Sequence, residues 1–212
     1  MGIKEYQGAG SKFYWAAIAP TRGYTLLGDD STVTLWNFTD NEPLEYNTCL
    51  TSEAWVWDFT KDEKYGVIGS KKGTVIVWNY DQNKTIATLK GHMNRWSALG
   101  VSQDLDSVKY LASGACDTNI KLWDLRVKKA IRTFKGHEDQ ITGVSISPDN
   151  QYVASSSLDG TVKIWDICSD KIMKTFAAST VLGVKAISFN PAQYWVAASW
   201  GDRRIRYYDL NT

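Results

Sequence analysis

The two histidines of this 212-residue chain, His92 and His137, are each followed by a serine and an aspartate: Ser113 and Asp117 after the first, Ser155 and Asp159 after the second. Serine, histidine and aspartate are the parts of a nucleophilic acyl-transfer site, in which imidazole takes the hydroxyl proton and the carboxylate orients the imidazole. Here the set occurs twice, and each time a tryptophan, Trp123 or Trp165, stands as a fourth member. That pattern reads as a buried relay: the aspartate accepts from the histidine, the serine bridges, and the indole N–H donates to the serine. Such a network is tolerable inside a fold when every member is satisfied, and it then holds its loops rigidly. The expectation is therefore a structural network of His92, Ser113, Asp117, Trp123, His137, Ser155, Asp159 and Trp165, with no catalytic residue. Two histidines, and three cysteines (Cys49, Cys116, Cys168) without C-x-x-C spacing, leave little for a metal site. The glycines are spread among turns and form no Gly-x-x-x-x-Gly-Lys-Ser/Thr phosphate loop, so no ATPase, other enzyme or cofactor is expected.

Relays that recur require elements that recur. Trp36-Asn37, Trp78-Asn79, Trp123-Asp124, Trp165-Asp166 and the degenerate Tyr208-Asp209 follow one another at 42, 45, 42 and 43 residues. Within the fourth period, Ile141, Val144 and Ile146 lead to the turn cluster Ser147-Pro148-Asp149-Asn150. Tyr152 to Ser156 follows, then Asp159-Gly160, the alternating Thr161-Val162-Lys163-Ile164-Trp165, and an amphipathic run from Lys171 to Phe176. Four short antiparallel strands per period, at about 40 to 45 residues per period, resemble the blades of WD-repeat propellers. The predicted fold class is all-β: a WD-repeat β-propeller of five four-stranded antiparallel blades, as an incomplete or open ring. One domain spans 1–212, with repeats at approximately 1–37, 38–79, 80–124, 125–166 and 167–209.

Composition narrows the partners. Lys plus Arg number 24 against 23 Asp plus Glu, so no global field favours nucleic acid, an anionic membrane or an acidic substrate. Neither the start, MGIKEYQGAGSKF, nor any later segment carries the apolar run of a signal peptide or of a roughly 20-residue membrane span, and Tyr6 stands where a myristoylation motif wants Ser or Thr. The expectation is a cytoplasmic chain whose partners are proteins.

Three periods depart from the full set. The first has Gly8-Ala9 for Gly-His, though Asp30 and Trp36 remain; the second has Cys49-Leu50, with Lys72 in place of the Asp; the fifth has Thr180 and Tyr208, with Asp202 retained. Blades two and five are expected to lean on apolar packing, with Trp57, Phe59, Ile187 and Phe189 on their inner strands supplying it.

The stretch from Tyr110 to Phe134, YLASGACDTNIKLWDLRVKKAIRTF followed by KGH, resembles the third-to-fourth blade junction of the katanin regulatory subunit, the non-ATPase partner in microtubule severing. The fifth period, FNPAQYWVAASWGDRRIRYYDL, is similar to that family's fifth blade. The resemblance implies a non-enzymatic scaffold that contacts microtubules or tubulin and other proteins, at the cytoskeleton, centrosome, basal body or cilium. A different reading comes from Trp123-Asp124-Leu125-Arg126, which resembles the Trp-Asp-x-Arg box of substrate receptors for cullin-RING ubiquitin ligases; an unspecified WD-repeat adaptor is the remaining one.

A propeller removes raw sheet edges by closing its ring. Residues 3–7 are placed to be the outermost strand of the fifth blade, and an open arc completed by a second chain is the preferred expectation. Loops carrying Gly-His and Asp sit on one face in this architecture. Candidate partner-binding residues there are Trp55, Lys71, Lys72, Asn94, Arg95, Arg126, Glu138, Asp139, Leu158, Trp200, Arg203 and Arg204, since exposed Trp and Arg are frequent interface anchors.

Overall fold

The computed structural model describes residues 15–19, 21–28, 33–37, 43–44, 54–60, 63–70, 73–102, 110–177 and 183–211. Among them, nineteen strands form five antiparallel sheets. Blade one comprises β1 (Trp15–Ala19), β2 (Tyr24–Gly28), β3 (Val33–Asn37) and β4 (Pro43–Leu44); blade two comprises β5 (Ala54–Phe59), β6 (Gly66–Ser70), β7 (Thr74–Asn79) and β8 (Lys84–Lys90). Blade three is β9 (Trp96–Val101), β10 (Tyr110–Ala115), β11 (Ile120–Asp124) and β12 (Lys129–Phe134); blade four is β13 (Ile141–Ile146), β14 (Tyr152–Ser157), β15 (Thr161–Asp166) and β16 (Ile172–Ala177). Blade five has β17 (Val184–Phe189), β18 (Trp195–Trp200) and β19 (Ile205–Asp209). Residues 3–7, expected to add its outermost strand, lie outside the described residues, as does Asp30. The chain is all-β, a β-propeller whose first strands β1, β5, β9, β13 and β17 pack against one another in order.

In blades two to five the second letter of the Trp-Asp pair has a local task that explains where strands end. Asp166 Oδ1 accepts the N–H groups of Cys168 at 2.7 Å and Ser169 at 2.8 Å. Asp124 Oδ1 accepts from Arg126 N at 2.9 Å, Asn79 Oδ1 from Gln82 N at 3.0 Å, and Asp209 Oδ1 from Asn211 N at 2.9 Å. These are Asx turns, which stop the third strand and reverse the chain toward the rim. Asn83, Lys128 and Asp170 complete three of those turns in the left-handed region.

Blades are joined by side chains that leave little room. Ser145 Oγ accepts Phe189 N–H at 3.1 Å, and Thr142 Oγ1 donates to Val184 O at 2.7 Å, stitching β13 to β17. A Cβ on Gly100 would lie 2.8 Å from Val144 O, so β9 approaches β13 at a distance only glycine permits. Apolar clusters fill the interblade space: Leu35 with Phe59, Leu122 with Ile146, and Ile164 with Phe189. On the rim, β8 exposes Lys84 and Lys90 and β12 exposes Lys129 and Arg132, charges of the kind that blunt edge strands against further pairing.

Candidate functional site: the loop-bearing face of blades three and four

Two relays stand in full. His137 Nδ1 lies 2.7 Å from Asp159 Oδ2 and its Nε2 2.7 Å from Ser155 Oγ, which accepts Trp165 Nε1–H at 2.8 Å. In blade three, His92 Nδ1 is 2.9 Å from Asp117 Oδ2 and Nε2 2.9 Å from Ser113 Oγ, with Trp123 Nε1–H donating to that oxygen at 2.8 Å. Both histidines, both serines and both tryptophans are buried. Burial lowers the two histidines below their ordinary value of 6.5, by more than the paired aspartates raise them. A neutral ring with its proton on Nδ1 satisfies every atom: Nδ1–H donates to the carboxylate, Nε2 accepts from the serine hydroxyl, and the serine oxygen accepts from the indole.

Each carboxylate also holds the neighbouring loops. Asp159 accepts the N–H of Glu138 at 3.0 Å and of Thr161 at 2.8 Å; Asp117 accepts those of Met93 at 3.0 Å and Asn119 at 3.1 Å. For Asp117, burial pushes the carboxyl upward, but the His92 ring and these amides outweigh it and leave it below the usual carboxylate range. In Asp159 burial is likewise outweighed, by Thr161, the Glu138 amide and His137. Thr161 Oγ1 lies within reach of both Asp159 (2.7 Å) and His137 Nδ1 (3.1 Å), a member that spacing alone did not single out. The loops so tied display Met93, 96% exposed, with Asn94, Arg95, Glu138 and Asp139 also exposed. Arg95 Nε stands 3.3 Å from Cys116 Sγ, which joins the two loops of blade three at the surface.

Positions without a relay have other solutions. Ten residues before each tryptophan, where blades three and four have serine, stand Leu26, Ile68 and, before Tyr208, Ala198. In blade two, Trp78 Nε1–H donates instead to Asn83 Oδ1 at 3.3 Å, and Phe59 and Tyr80 meet edge-on at 5.7 Å. Phe59 and Phe189 are buried and Ile187 half-buried; the Trp57 side chain lies outside the described residues. A Cβ on Gly73, at φ +75°, would meet His92 O at 2.4 Å, so the blade-two loop rests on the backbone of the next relay.

Blade five corrects one expectation. Trp200 is not displayed but buried, at 3% exposure, beneath the Arg206 guanidinium, whose carbon lies 4.9 Å from the ring centre. Its register place at the end of the second strand is that of Ser70, Ala115 and Ser157, all buried, and that alignment was the available signal. Arg206 also forks onto Asp202, at 2.6 and 3.2 Å, so it stands apart from the exposed Arg203 and Arg204. Leu158 is half-buried and backs onto Gly183, where a Cβ would come within 2.7 Å of the Leu158 Cα. Arg126 is exposed and forks onto Asp124 at 2.6 and 3.0 Å, lowering that carboxyl. Lys71, Lys72 and the side chain of Trp55 lie outside the described residues. Among the described residues no group of His, Cys, Asp and Glu is arranged to hold a metal ion, and no helix is long and apolar enough to cross a membrane.

The blades and their repeated Trp-Asp turns define a WD-repeat protein. Residues 83–124, 128–166 and 170–209 match the family WD domain, G-beta repeat, and the chain belongs to that family. It is also similar to the anaphase-promoting complex subunit cdc20 of Dictyostelium discoideum, 33% identical over 95 residues, which is 42% of this chain and 17% of that protein's length. These findings support a WD-repeat scaffold or adaptor, a class that mediates protein–protein interactions. They give no support to the narrower katanin family.

Proposed function

We propose that this chain is a non-enzymatic protein-recognition scaffold whose binding face is formed by the relay-held loops of blades three and four. The observation that carries this reading is the contrast within those loops. Their backbones are tied to Asp117 and Asp159, while the side chains of Met93, Asn94, Arg95, Glu138 and Asp139 are exposed to solvent. A rigid loop that exposes a flexible thioether beside charges of both signs suits a partner segment with an apolar anchor and mixed charge, because little ordering entropy is left to lose on binding. The serines argue against acyl transfer: each hydroxyl oxygen is buried and already accepts an indole N–H, which leaves no access for a substrate carbonyl.

The relative's printed name makes it a subunit of a multiprotein complex, and subunit of an assembly is the role we carry over. The finer reading, a microtubule-associated chain at the cytoskeleton, rests on the katanin-like stretch from Tyr110 to Phe134. Affinity isolation from cells with the wild-type chain and with a Met93→Ala, Arg95→Glu, Glu138→Lys variant tests the scaffold reading. Copurifying proteins are expected to be lost from the variant while its fold is kept; an unchanged set contradicts the proposed face. Co-sedimentation with microtubules across a salt series tests the finer reading, and no pelleting at low salt removes it.

A further inference from the structure

The outer turns of blades two, three and four share a backbone but not a charge pattern. In each, the residue that ends the third strand is followed five residues later by a lysine, Lys84, Lys129 or Lys171. One residue before that lysine the chain is left-handed every time, at φ 46° for Asn83, 56° for Lys128 and 59° for Asp170. Asn and Asp enter this region most readily among residues other than glycine, because their short polar side chains bond to the local backbone. Blade three thus holds a lysine where its two neighbours hold the types that the turn prefers.

Further bases gather at the same place. Arg126 and Val127 stand where blade two has Asp81 and Gln82 and blade four has Cys168 and Ser169. Along β12 come Arg132 and Lys135, so the ten residues 126–135 contain five bases and no acid, in a chain of net charge +1. The matching stretches 81–90 and 168–177 each contain two lysines and one aspartate. All five bases of blade three are exposed. Arg126 forks onto Asp124 and Arg132 Nε lies 2.7 Å from Asp170. Lys128, Lys129 and Lys135 have no acidic partner among the described residues. Protection of an edge strand accounts for Lys129 and Arg132, but Arg126 and Lys128 precede the strand. Between those two bases Val127 stands 57% exposed.

We propose that the outer turn and rim strand of blade three dock an acidic, extended polypeptide segment of a partner protein, with an apolar side chain of that segment over Val127. Charge complementarity selects the occupant: a linear strip of unpaired ammonium groups matches a linear run of carboxylates. From Lys129 to Lys135 the strip is about 20 Å long at the rise of a β-strand. It offers no aromatic face on which nucleic-acid bases could stack, since Phe134 is buried. A flat anionic membrane against the same edge would also meet Asp81 and Asp170, 47% and 49% exposed at the equivalent turns of the flanking blades. A narrow chain along blade three need not. This surface goes beyond the loop face proposed above, and the isolation experiment on Met93, Arg95 and Glu138 leaves it intact.

Fluorescence anisotropy of a labelled glutamate-rich peptide with one central leucine, titrated with the purified full chain, tests it. The wild type is expected to bind at low salt and to bind less at about 0.15 M, where charges are screened beyond about 8 Å. A Lys128→Asn, Lys129→Gln variant is expected to lose about tenfold in affinity. Lys171→Gln, at the place of Lys129 in blade four, is expected to change nothing. Lys128→Asn alone should weaken binding while its urea midpoint stays level or rises, because asparagine suits the left-handed turn. The proposal is overturned by a wild type that does not bind the peptide at low salt, or by equal losses in Lys171→Gln and the double variant. It is equally overturned by a Lys128→Asn chain that binds like the wild type or is less stable. Tighter binding of phosphatidylserine vesicles or of single-stranded oligothymidylate than of the peptide gives the strip to a membrane or a nucleic acid and removes the acidic segment.

Discussion

Blades four and five share the register of their first three strands and the turn after the third, yet they fix their upper loops by different means. In blade four, Ser155 Oγ takes the indole N–H and joins His137 to Asp159, so a buried carboxylate reaches the Glu138 loop. Blade five has Ala198 where the serine would be, and its retained Asp202 turns to Arg206, a part-buried ion pair. The guanidinium then lies over Trp200. A four-member hydrogen-bonded network is costly to break because each deletion strands several neighbours, whereas deleting one half of a two-member pair strands only the other. One propeller thus contains a rigidly tied face and a loosely tied end, and the exposed apolar surface of Ile205 and Tyr207 lies at the loose end.

The largest effect should come from the indoles. Trp165→Ala removes a buried side chain and is expected to destabilise by about 3–5 kcal/mol in urea unfolding. Tyr208→Ala, at a half-buried site, should lose clearly less; equal losses would erase the distinction between the blades. Next comes the carboxylate. Asp159→Ala leaves His137 and the Glu138 amide without their acceptor and is expected to cost about 1–3 kcal/mol, against a clearly smaller loss for Asp202→Ala. Similar losses at the two positions would show that the relay is no stronger than the Asp202–Arg206 pair.

The pH response sharpens the same contrast. Both histidines are held below 6.5 in the fold, so the unfolded chain takes up protons first as pH falls. Their contribution is intact above about pH 6.5 and declines below it, by at most about 1.4 kcal/mol per pH unit for each ring. Asp117 and Asp159, also lowered, add a second decline once pH drops below the ordinary carboxylate value of 3.8. Asp58, raised to about 6 by burial, titrates in the same range with the opposite sign, because its stabilisation is lost as pH rises through that value. The relays' share is therefore the part of the decline in urea midpoints between pH 7 and 5 that disappears in a His92→Asn, His137→Asn double variant, and a decline unchanged in the variant would place the titration elsewhere. The smallest effect is expected at Arg206→Lys, which keeps the charge near Asp202 but loses the fork and the planar contact over Trp200. A barely changed urea midpoint, with altered Trp200 fluorescence, is the expected result, while no spectral change would mean that the guanidinium does not rest on the ring.

The propeller was legible because its signals are local and repeated. Trp-Asp pairs set the period, Asp-Gly and Ser-Pro-Asp-Asn set the turns, and two full Gly-His, Ser, Asp, Trp sets named the relays by residue. What resisted reading depends on register between strands. For Trp200 the sequence left open both a surface anchor and a residue filling the gap of the absent fifth relay, and its alignment with Ser70, Ala115 and Ser157 places it inside. The Arg206 fork was hidden in a run of three arginines that differ in direction and not in type. Thr161 entered the relay through a hydroxyl that its strand pattern did not require.

Nitrogen-15 chemical shifts and long-range proton couplings of the two imidazoles at pH 7 test the relay most directly, because two histidines give two assignable rings. The account predicts that His92 and His137 are both neutral with the proton on Nδ1, each Nε2 showing the shift of an acceptor, and that Ser155→Ala changes the His137 signal alone. Protonated rings, or a proton resident on Nε2, would contradict the hydrogen-bond order on which the held loops and their recognition face depend.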